Sequence, residues 1–189
     1  MSIEAIKRVE KAIEDIKRGK MVIMMDDEDR ENEGDLVYAA TFSTPDMVNF
    51  MAKEARGLSC TPVTKEIASK LDLIPMVTNN VSNYETAFTV SIDSANAETG
   101  ISSAERDDCI SKLANPQTVS EDFVRPGHIF PLIAKDGGVL VRTGHTEGSV
   151  DLCKLAGLAP AAVICEIIKD DGKMARMDDL EIFSKEHDM

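Results

Sequence analysis

The sequence predicts one domain of the α/β or α+β class, in which a mixed sheet is layered with helices. Segments with apolar residues at helical spacing alternate along the chain with short apolar, β-branched segments. No sequence period of about 20 to 50 residues recurs, and no low-complexity linker divides the 189 residues. Hydrophobic residues make up 43% of the chain and charged residues 29%, so the chain has an ordinary globular composition and can bury a core.

The elements of the N-terminal part follow from hydrophobic spacing and helix signals. Isoleucine and valine at steps of three and four predict an amphipathic first helix that stops at Gly19. The wholly apolar run 21–25 predicts a buried strand, and apolar character resumes in a second strand, 36–40. The pair Thr44-Pro45 predicts the start of a helix, because threonine caps and proline fits the first turn.

The later elements follow from the same patterns. Ser102 and Glu105 form a capping box, which predicts a helix start. Gly137-Gly138 is a turn signal and predicts a hairpin. The remaining predicted elements are strand 58–63, helix 65–71, strand 87–93, helix 102–114, an irregular segment 115–127, hairpin strands 128–133 and 139–142, helix 146–156, strand 161–168 and helix 178–187.

The charge balance excludes several classes of partner. Lys and Arg number 21 and Asp and Glu number 34, a net charge of −13, which disfavours binding to nucleic acid and to anionic membrane surfaces. No apolar stretch approaches the ~20 residues of a membrane-spanning helix. The four cysteines form no C-x-x-C pair and are predicted to be reduced thiols, so we expect a cytoplasmic protein.

The most unusual segment is the run from Asp26 to Asp35, which holds seven carboxylates in ten residues between two apolar strands. Such a charge density repels itself unless a cation neutralises it, and Mg²⁺ or Mn²⁺ prefers oxygen ligands of this kind. A solvated acidic turn is the alternative. An EF-hand calcium loop is excluded, because counting from Asp29 puts Ala40 where the bidentate glutamate belongs.

The segment from Arg142 to Glu147 predicts a phosphate site at a junction of strand and helix. Gly144 lets a ligand approach the main chain, the first helical N–H groups point outward, and Arg142 and Thr146 add donors. His145 could be a metal ligand or a proton carrier, or it could simply lie on the surface. A zinc deaminase is excluded, since no P-C-x-x-C follows.

Two further residues are candidate proton carriers. His128 follows a rigid Arg-Pro-Gly turn at the start of a predicted strand, and Glu166 interrupts an apolar strand. A buried carboxylate is costly unless it is paired or has a function. The alternatives are a structural histidine and a structural ion pair. Together these groups suit metal-dependent enolisation of a phosphorylated sugar ketone.

Six ordered motifs, which span nearly the whole chain, resemble the 3,4-dihydroxy-2-butanone 4-phosphate synthases of riboflavin biosynthesis. They are DDEDRENEGD (26–35), TAFTVSID (86–93), TGIS (99–102), RPGHIFPL (125–132), RTGHTE (142–147) and LAGLAPAAVICEI (155–167). The resemblance implies a three-layer sandwich acting as a homodimer, with the active site near the subunit interface. It implies a magnesium-dependent lyase, with manganese as the alternative, that converts D-ribulose 5-phosphate to L-3,4-dihydroxy-2-butanone 4-phosphate and formate.

The resemblance also implies roles for particular residues. Glu31 and His145 would hold the metal, and Arg30 and Asp35 would contact substrate, as would Glu31 and Glu166. The phosphate would be seated by Arg142, Thr143, Gly144, His145 and Thr146, with Thr99 as an additional donor. The proton carriers would be Asp35, Glu33, His128 and Glu166.

Two features depart from the family pattern. The segment GLSCTPV (57–63) is looser than usual, so Cys60 is placed near the pocket without a role. Relatives commonly extend beyond the last helix, so we expect residues 1–189 to be one synthase domain, either a short natural version or one module of a fusion with a GTP cyclohydrolase II domain.

Two competing functions remain open at this point. Another divalent-metal sugar-phosphate aldolase or isomerase would use the same ligand types but release no formate. A non-enzymatic acidic cation-binding module would need the carboxylates and be indifferent to His128 and Glu166.

Overall fold

The computed structural model describes residues 2–189. Its strands are β1 (Val22–Met25), β2 (Gly34–Ala39), β3 (Cys60–Val63), β4 (Ile92–Ser94), β5 (Phe123–Ile133) and β6 (Ala162–Glu166). Its α-helices are α1 (Ile3–Lys17), α2 (Pro45–Phe50), α3 (Lys65–Lys70), α4 (Ser103–Ala114), α5 (His145–Leu155) and α6 (Met177–Glu186). Within this part of the chain, no helix combines the length and the apolar character that crossing a membrane requires.

The strands form one mixed sheet in the order β1-β2-β6-β3-β5-β4. The pair β3 and β5 is parallel, and the other neighbours are antiparallel. Residues 36–39 of β2 and 162–165 of β6 are buried on both faces, which is why these parts of the two strands are continuously apolar in sequence.

Helices cover both faces of the sheet. Leu36 and Tyr38 point into a core completed by residues of α2 and α4, whereas Val37 and Ala39 point into a second core completed by α1 and α5. Two cores on opposite faces of one sheet make a three-layer α/β sandwich, so the predicted fold is confirmed.

The helix signals act as the sequence predicts. The Thr44 hydroxyl accepts a hydrogen bond from the Met47 N–H at 3.2 Å, and the Ser102 hydroxyl accepts one from the Glu105 N–H at 3.2 Å. Gly157, at φ +74°, follows the last residue of α5 in the left-handed conformation that favours glycine.

The predicted hairpin is wrong. Residues 139–142 are not a strand, because Gly138–Leu140 forms a 3₁₀ turn and residues 141–144 connect it to α5. The edges of β5 are already taken: Phe130 to Ile133 pair with β3, and residues 87–89 bond to Pro131 and Ile133 from the other side. No edge of β5 is therefore left for 139–142.

The strand predicted over 87–93 and the irregular segment predicted over 115–127 also differ from the structure. Regular pairing is confined to β4, and β5 begins at Phe123, before the Arg-Pro-Gly turn signal. Gly127 lies so close to the Ile92 main chain that a Cβ atom would be 2.1 Å from the Ile92 carbonyl carbon. The Arg-Pro-Gly residues therefore do not form a loop. They lie within β5, where Gly127 permits the close approach of β4 at a shift in register.

We expect Leu36→Ala to lower the free energy of unfolding by about 2–5 kcal/mol, because Leu36 is 0% exposed in the sheet centre and truncation leaves a cavity. Denaturant titration measures this difference. Leu140→Ala is the matched control, since Leu140 is 94% exposed, and should change the value by less than about 0.5 kcal/mol. Equal effects of the two substitutions would contradict the assignment of the core.

Candidate functional site

The acidic loop, defined here as 26–33 between β1 and β2, is folded around the carboxylate of Asp26. One oxygen accepts the Glu33 N–H at 2.9 Å; the other accepts the Arg30 guanidinium at 2.6 Å and the Glu31 N–H at 3.2 Å. Burial alone would raise the pKa of Asp26, but these hydrogen bonds, with the Glu33 N–H foremost, outweigh it and hold the pKa below its ordinary value. The loop is therefore an ordered structure and not a solvated turn.

The loop is also held from outside by the segment that begins α6. The Arg176 guanidinium donates to the main-chain oxygens of Glu31, at 3.0 Å, and Asn32. Leu180 of α6 lies against Gly34, where a Cβ atom would be 2.4 Å from Leu180 Cδ1. No sequence motif pointed to Arg176, which lies 145 residues from Glu31.

Asp35 and Glu166 lie directly opposite each other on β2 and β6. Asp35 is 2% exposed, and among residues 2–189 its Oδ1 atom has no hydrogen-bond partner. Burial raises the pKa of Asp35 to about 7, with the negative charge of Glu166 adding to the shift and nearby His145 opposing it. Glu166 is held in place by the Leu58 N–H, which donates to its carboxylate at 2.9 Å.

The first turn of α5 brings His145 to these carboxylates. Its Nδ1 atom lies 3.8 Å from Glu31 Oε2 and its Nε2 atom 3.9 Å from Asp35 Oδ1, which are ion-pair separations. Burial alone would lower the pKa of His145, but the Glu31 and Asp35 carboxylates outweigh burial and raise the pKa to about 9. Two motifs more than a hundred residues apart in sequence thus meet at one place.

Three side chains offer metal ligands here. One ligand atom from each of Asp26, Glu31 and His145 lies within 4.8 Å of the others. Both oxygens of Asp26 accept hydrogen bonds within the loop, whereas Glu31 and His145 each use only one of their two ligand atoms, Oε2 toward Arg30 and Nε2 toward the Glu33 carbonyl. Glu31 and His145 are therefore the more available ligands, and the unpartnered oxygen of Asp35 adjoins His145. Oxygen and imidazole donors suit a divalent cation, so the residues present fit such an ion.

Two arginines and the N-terminus of α5 form an anion cradle. Gly144 precedes the helix and supplies no side-chain cap, so the first N–H groups are not capped by a side chain. A Cβ atom on Gly144 would lie 2.3 Å from Arg142 Nη1 and 3.2 Å from Arg30 Nη2. The glycine therefore lets both guanidinium groups approach the helix end. Glu147, which is 1% exposed, holds Arg142 at 2.6 Å.

These side chains line a single cavity, together with four residues of the quoted motifs that the sequence did not assign to the site. The predicted residues in the lining are Arg30, Glu31, Glu33, Asp35, Cys60, Arg142, His145, Thr146 and Glu166, and the others are Thr86, Phe88, Leu132 and Ile164. Burial raises the pKa of the Cys60 thiol far above its ordinary value, so this cysteine stays a neutral thiol.

His128 lies elsewhere, beside Asp93, and the Thr99 hydroxyl donates to Glu105 at 3.1 Å; Thr143 and Gly144 also do not line the cavity. Asp93 accepts hydrogen bonds from the His128 N–H at 2.8 Å and pairs with the His128 ring at 2.8 Å. A Cβ atom on Gly100, next to Thr99, would lie 2.0 Å from the same carboxylate. His128 precedes the cavity residue Leu132 by four positions, about 13 Å along an extended strand. We call His128, Asp93 and Thr99 the second patch.

Comparisons with known proteins agree on one family. The model of the 3,4-dihydroxy-2-butanone 4-phosphate synthase family matches residues 10–189. The chain belongs to this family. A synthase of Wolinella succinogenes is 68% identical over 182 residues, which cover 96% of this chain and 52% of that protein. The chain thus spans about half the length of the curated relatives it matches.

Solved structures of the synthase family share the fold. A two-domain synthase from A. baumannii is 51% identical with a TM-score of 0.93, and the match covers 96% of this chain and 54% of that one. A synthase solved in complex with two magnesium ions is 40% identical with a TM-score of 0.92, and the match covers 96% of this chain and 90% of that one.

Proposed function

We propose that this chain is a 3,4-dihydroxy-2-butanone 4-phosphate synthase of riboflavin biosynthesis, a lyase that works in the cytoplasm. It would convert D-ribulose 5-phosphate to L-3,4-dihydroxy-2-butanone 4-phosphate and formate. The observation that carries the proposal is the meeting of Glu31 and His145 in a cavity that also holds Glu166 and the anion cradle. Family membership supports the reaction, and the cavity combines carboxylates, an imidazole and the arginines of the anion cradle.

A divalent cation, Mg²⁺ or Mn²⁺, would be held by Glu31 and His145. When bound, it supplies a Lewis acid that polarises the carbonyl and hydroxyl oxygens of the substrate. The magnesium ions in a structure 40% identical to this chain support the assignment. The unpartnered Oδ1 atom of Asp35 supports it too, because a buried oxygen without a donor favours a cationic neighbour.

The anion cradle would seat the phosphate. Arg30, Arg142 and the first N–H groups of α5 provide charge and directed donors, and Thr146 adds a hydroxyl. Local positive charge of this kind overcomes the net charge of −13 for an anionic substrate.

Three carboxylates in the cavity would move protons. Removal of a proton next to the ketone gives an enediol, and loss of a hydroxyl, a 1,2-shift of the carbon skeleton and hydrolytic release of formate follow. Asp35, with a pKa of about 7, can hold or release a proton near neutral pH. Burial, together with the negative charge of Glu31, raises the pKa of Glu33. Glu166 lies opposite Asp35 on the neighbouring strand.

The second patch would complete the cavity of a second subunit in a homodimer. The His128 side chain is fixed by Asp93 yet 46% exposed, and it does not line the cavity of its own chain. Ile101 and Val124 flank this patch in sequence and are 55% and 47% exposed, so apolar area remains to be covered. His128 would then act as a proton carrier in the cavity of the partner subunit, which explains why it lies outside the cavity of its own chain.

We expect the purified chain, given ribulose 5-phosphate and Mg²⁺, to release formate, and EDTA to abolish the release. A formate dehydrogenase assay measures this. An aldolase or isomerase would consume the substrate without formate, and a cation-binding module would bind Mg²⁺ without turnover. Full activity in excess chelator would contradict the proposal.

Metal binding should release a proton from His145, because its pKa of about 9 leaves the ring protonated at neutral pH while a ligand nitrogen must be neutral. Apparent affinity should rise about tenfold per pH unit between about pH 7.5 and about pH 8.5 and level off above pH 9. Calorimetry in two buffers of different ionisation enthalpy counts the protons. His145→Ala is the control and should lose this dependence; a pH-independent affinity in the wild type would exclude His145 as a ligand.

Mixed dimers test the shared site. Glu166→Gln keeps the shape of the side chain but removes proton transfer, so it should fold and lose nearly all turnover, and His128→Asn should do the same. Co-expression of the two should restore about a quarter of wild-type activity, because half of the dimers are mixed and each has one intact site. No recovery from isolated mixed dimers, or a monomeric wild type in ultracentrifugation, would refute the arrangement.

A further inference from the structure

Tyr84 contacts both arginines of the anion cradle. Its hydroxyl donates to the Arg30 main-chain oxygen at 2.8 Å, and the Arg30 guanidinium carbon lies 4.9 Å from the centre of its ring. Its own carbonyl accepts a hydrogen bond from Arg142 Nε at 3.0 Å. One residue therefore links the acidic loop to the segment before α5 that carries Arg142.

The segment that carries Tyr84 is shaped to present it there. Glu85 adopts φ +54°, and its N–H donates to the Ser82 carbonyl at 3.1 Å, which closes a turn around Tyr84. The Asn80 side chain donates to the Thr86 carbonyl at 2.9 Å and ties the two ends of that turn together. Local hydrogen bonds thus fix the turn independently of the arginines.

The contacts with Tyr84 and the ion pairs together determine which guanidinium nitrogens of Arg30 and Arg142 can bind a ligand. The short ion pairs of Arg30 with Asp26 and Glu31, and that of Arg142 with Glu147, all use Nη1. Tyr84 takes the face of the first guanidinium and Nε of the second. Arg30 Nη2 is left facing Gly144, and a planar guanidinium held at two places presents its remaining donors in a fixed direction.

We propose that Tyr84 is a positioning residue for the phosphate monoester of the substrate, acting through Arg30 and Arg142. This inference rests on the proposed function for the identity of the substrate. Tyr84 would not take part in the chemistry; it would hold the two guanidinium groups in the orientation in which they receive a dianion. Its loss should weaken phosphate binding in the ground state and the transition state alike.

Kinetics of Tyr84→Leu and Tyr84→Phe test the proposal. In the leucine variant, KM for ribulose 5-phosphate and the inhibition constant of inorganic phosphate should rise together by about tenfold, with kcat changed by less than about twofold. The phenylalanine variant keeps the ring beneath the guanidinium, so both constants should rise by only about threefold. An unchanged KM in the leucine variant, or a fall in kcat alone, would overturn the proposal.

Two control variants separate positioning from general damage. Tyr38→Phe removes the hydroxyl of a buried tyrosine that bonds Ser43, and Val81→Ala shortens an exposed side chain of the same loop. Both should leave KM unchanged. If either raises KM as much as Tyr84→Leu does, a loss of loop order and not Tyr84 itself explains the effect, and the proposal fails.

Fluorescence gives a readout that does not depend on turnover. The chain contains two tyrosines and no tryptophan, so in Tyr38→Phe the emission comes from Tyr84 alone. Inorganic phosphate should change that emission, and Tyr84→Phe should bind phosphate about threefold more weakly by calorimetry. If the wild type releases no formate but the phosphate-dependent emission and the weaker binding by Tyr84→Phe are observed, the proposed function is refuted and the role of Tyr84 is upheld. Equal phosphate affinity in the wild type and Tyr84→Phe would refute that role.

Discussion

The pairing of Asp26 with Arg30 is the constraint on which the site depends. A loop with so many carboxylates would be driven open by its own repulsion, yet here one carboxylate accepts two main-chain N–H groups and a guanidinium, and the loop closes on itself. The same guanidinium then contacts Glu31 at 2.5 Å. Removing either partner would leave the other charge unpaired in a largely buried position, which is costly. The pair therefore fixes the conformation of the loop, although a buried ion pair can contribute little net stability.

The sheet sets the remaining geometry. Register between β2 and β6 places Asp35 and Glu166 opposite each other, and the end of α5 that carries His145 lies beside Asp35. Negative charge from one end of the chain and imidazole and guanidinium groups from the other therefore share a small volume. Two shifts of pKa follow: burial and the neighbouring negative charge of Glu166 raise the pKa of Asp35, and the carboxylates around His145 raise the pKa of its ring.

Most of the fold could be predicted from the sequence, because local rules governed it. The helix starts at Thr44 and Ser102 and the stop at Gly157 are decided by capping chemistry within one turn. The central strands were predicted from the apolar runs 36–39 and 162–165. The prediction of a hairpin strand over 139–142 was wrong, because segments distant in sequence, β3 and residues 87–89, occupy both edges of β5. Gly127 was interpreted as part of a turn, but it lies in β5 and allows the main chain of β4 to approach closely.

For the site, too, one part could be predicted from the sequence and another could not. Its chemical groups could be read from unusual composition, as in the acidic run and the RTGHTE segment, whereas the residues that hold them could not. Arg176 and Tyr84 act on main-chain atoms far away in sequence, and contacts of that kind leave no spacing pattern. The separation of His128 and Thr99 from the cavity was equally invisible, because only the strand register shows how far along β5 the histidine lies.

In the proposed site, Glu31 of the acidic loop and His145 of α5 hold one divalent cation between them. A crystal soaked in Mn²⁺ and measured at the manganese absorption edge tests it directly through anomalous difference density. We expect a peak within coordination distance of both Glu31 and His145, about 2.1–2.3 Å from each ligand atom. A peak that contacts neither side chain, in a crystal with this loop ordered, would contradict it.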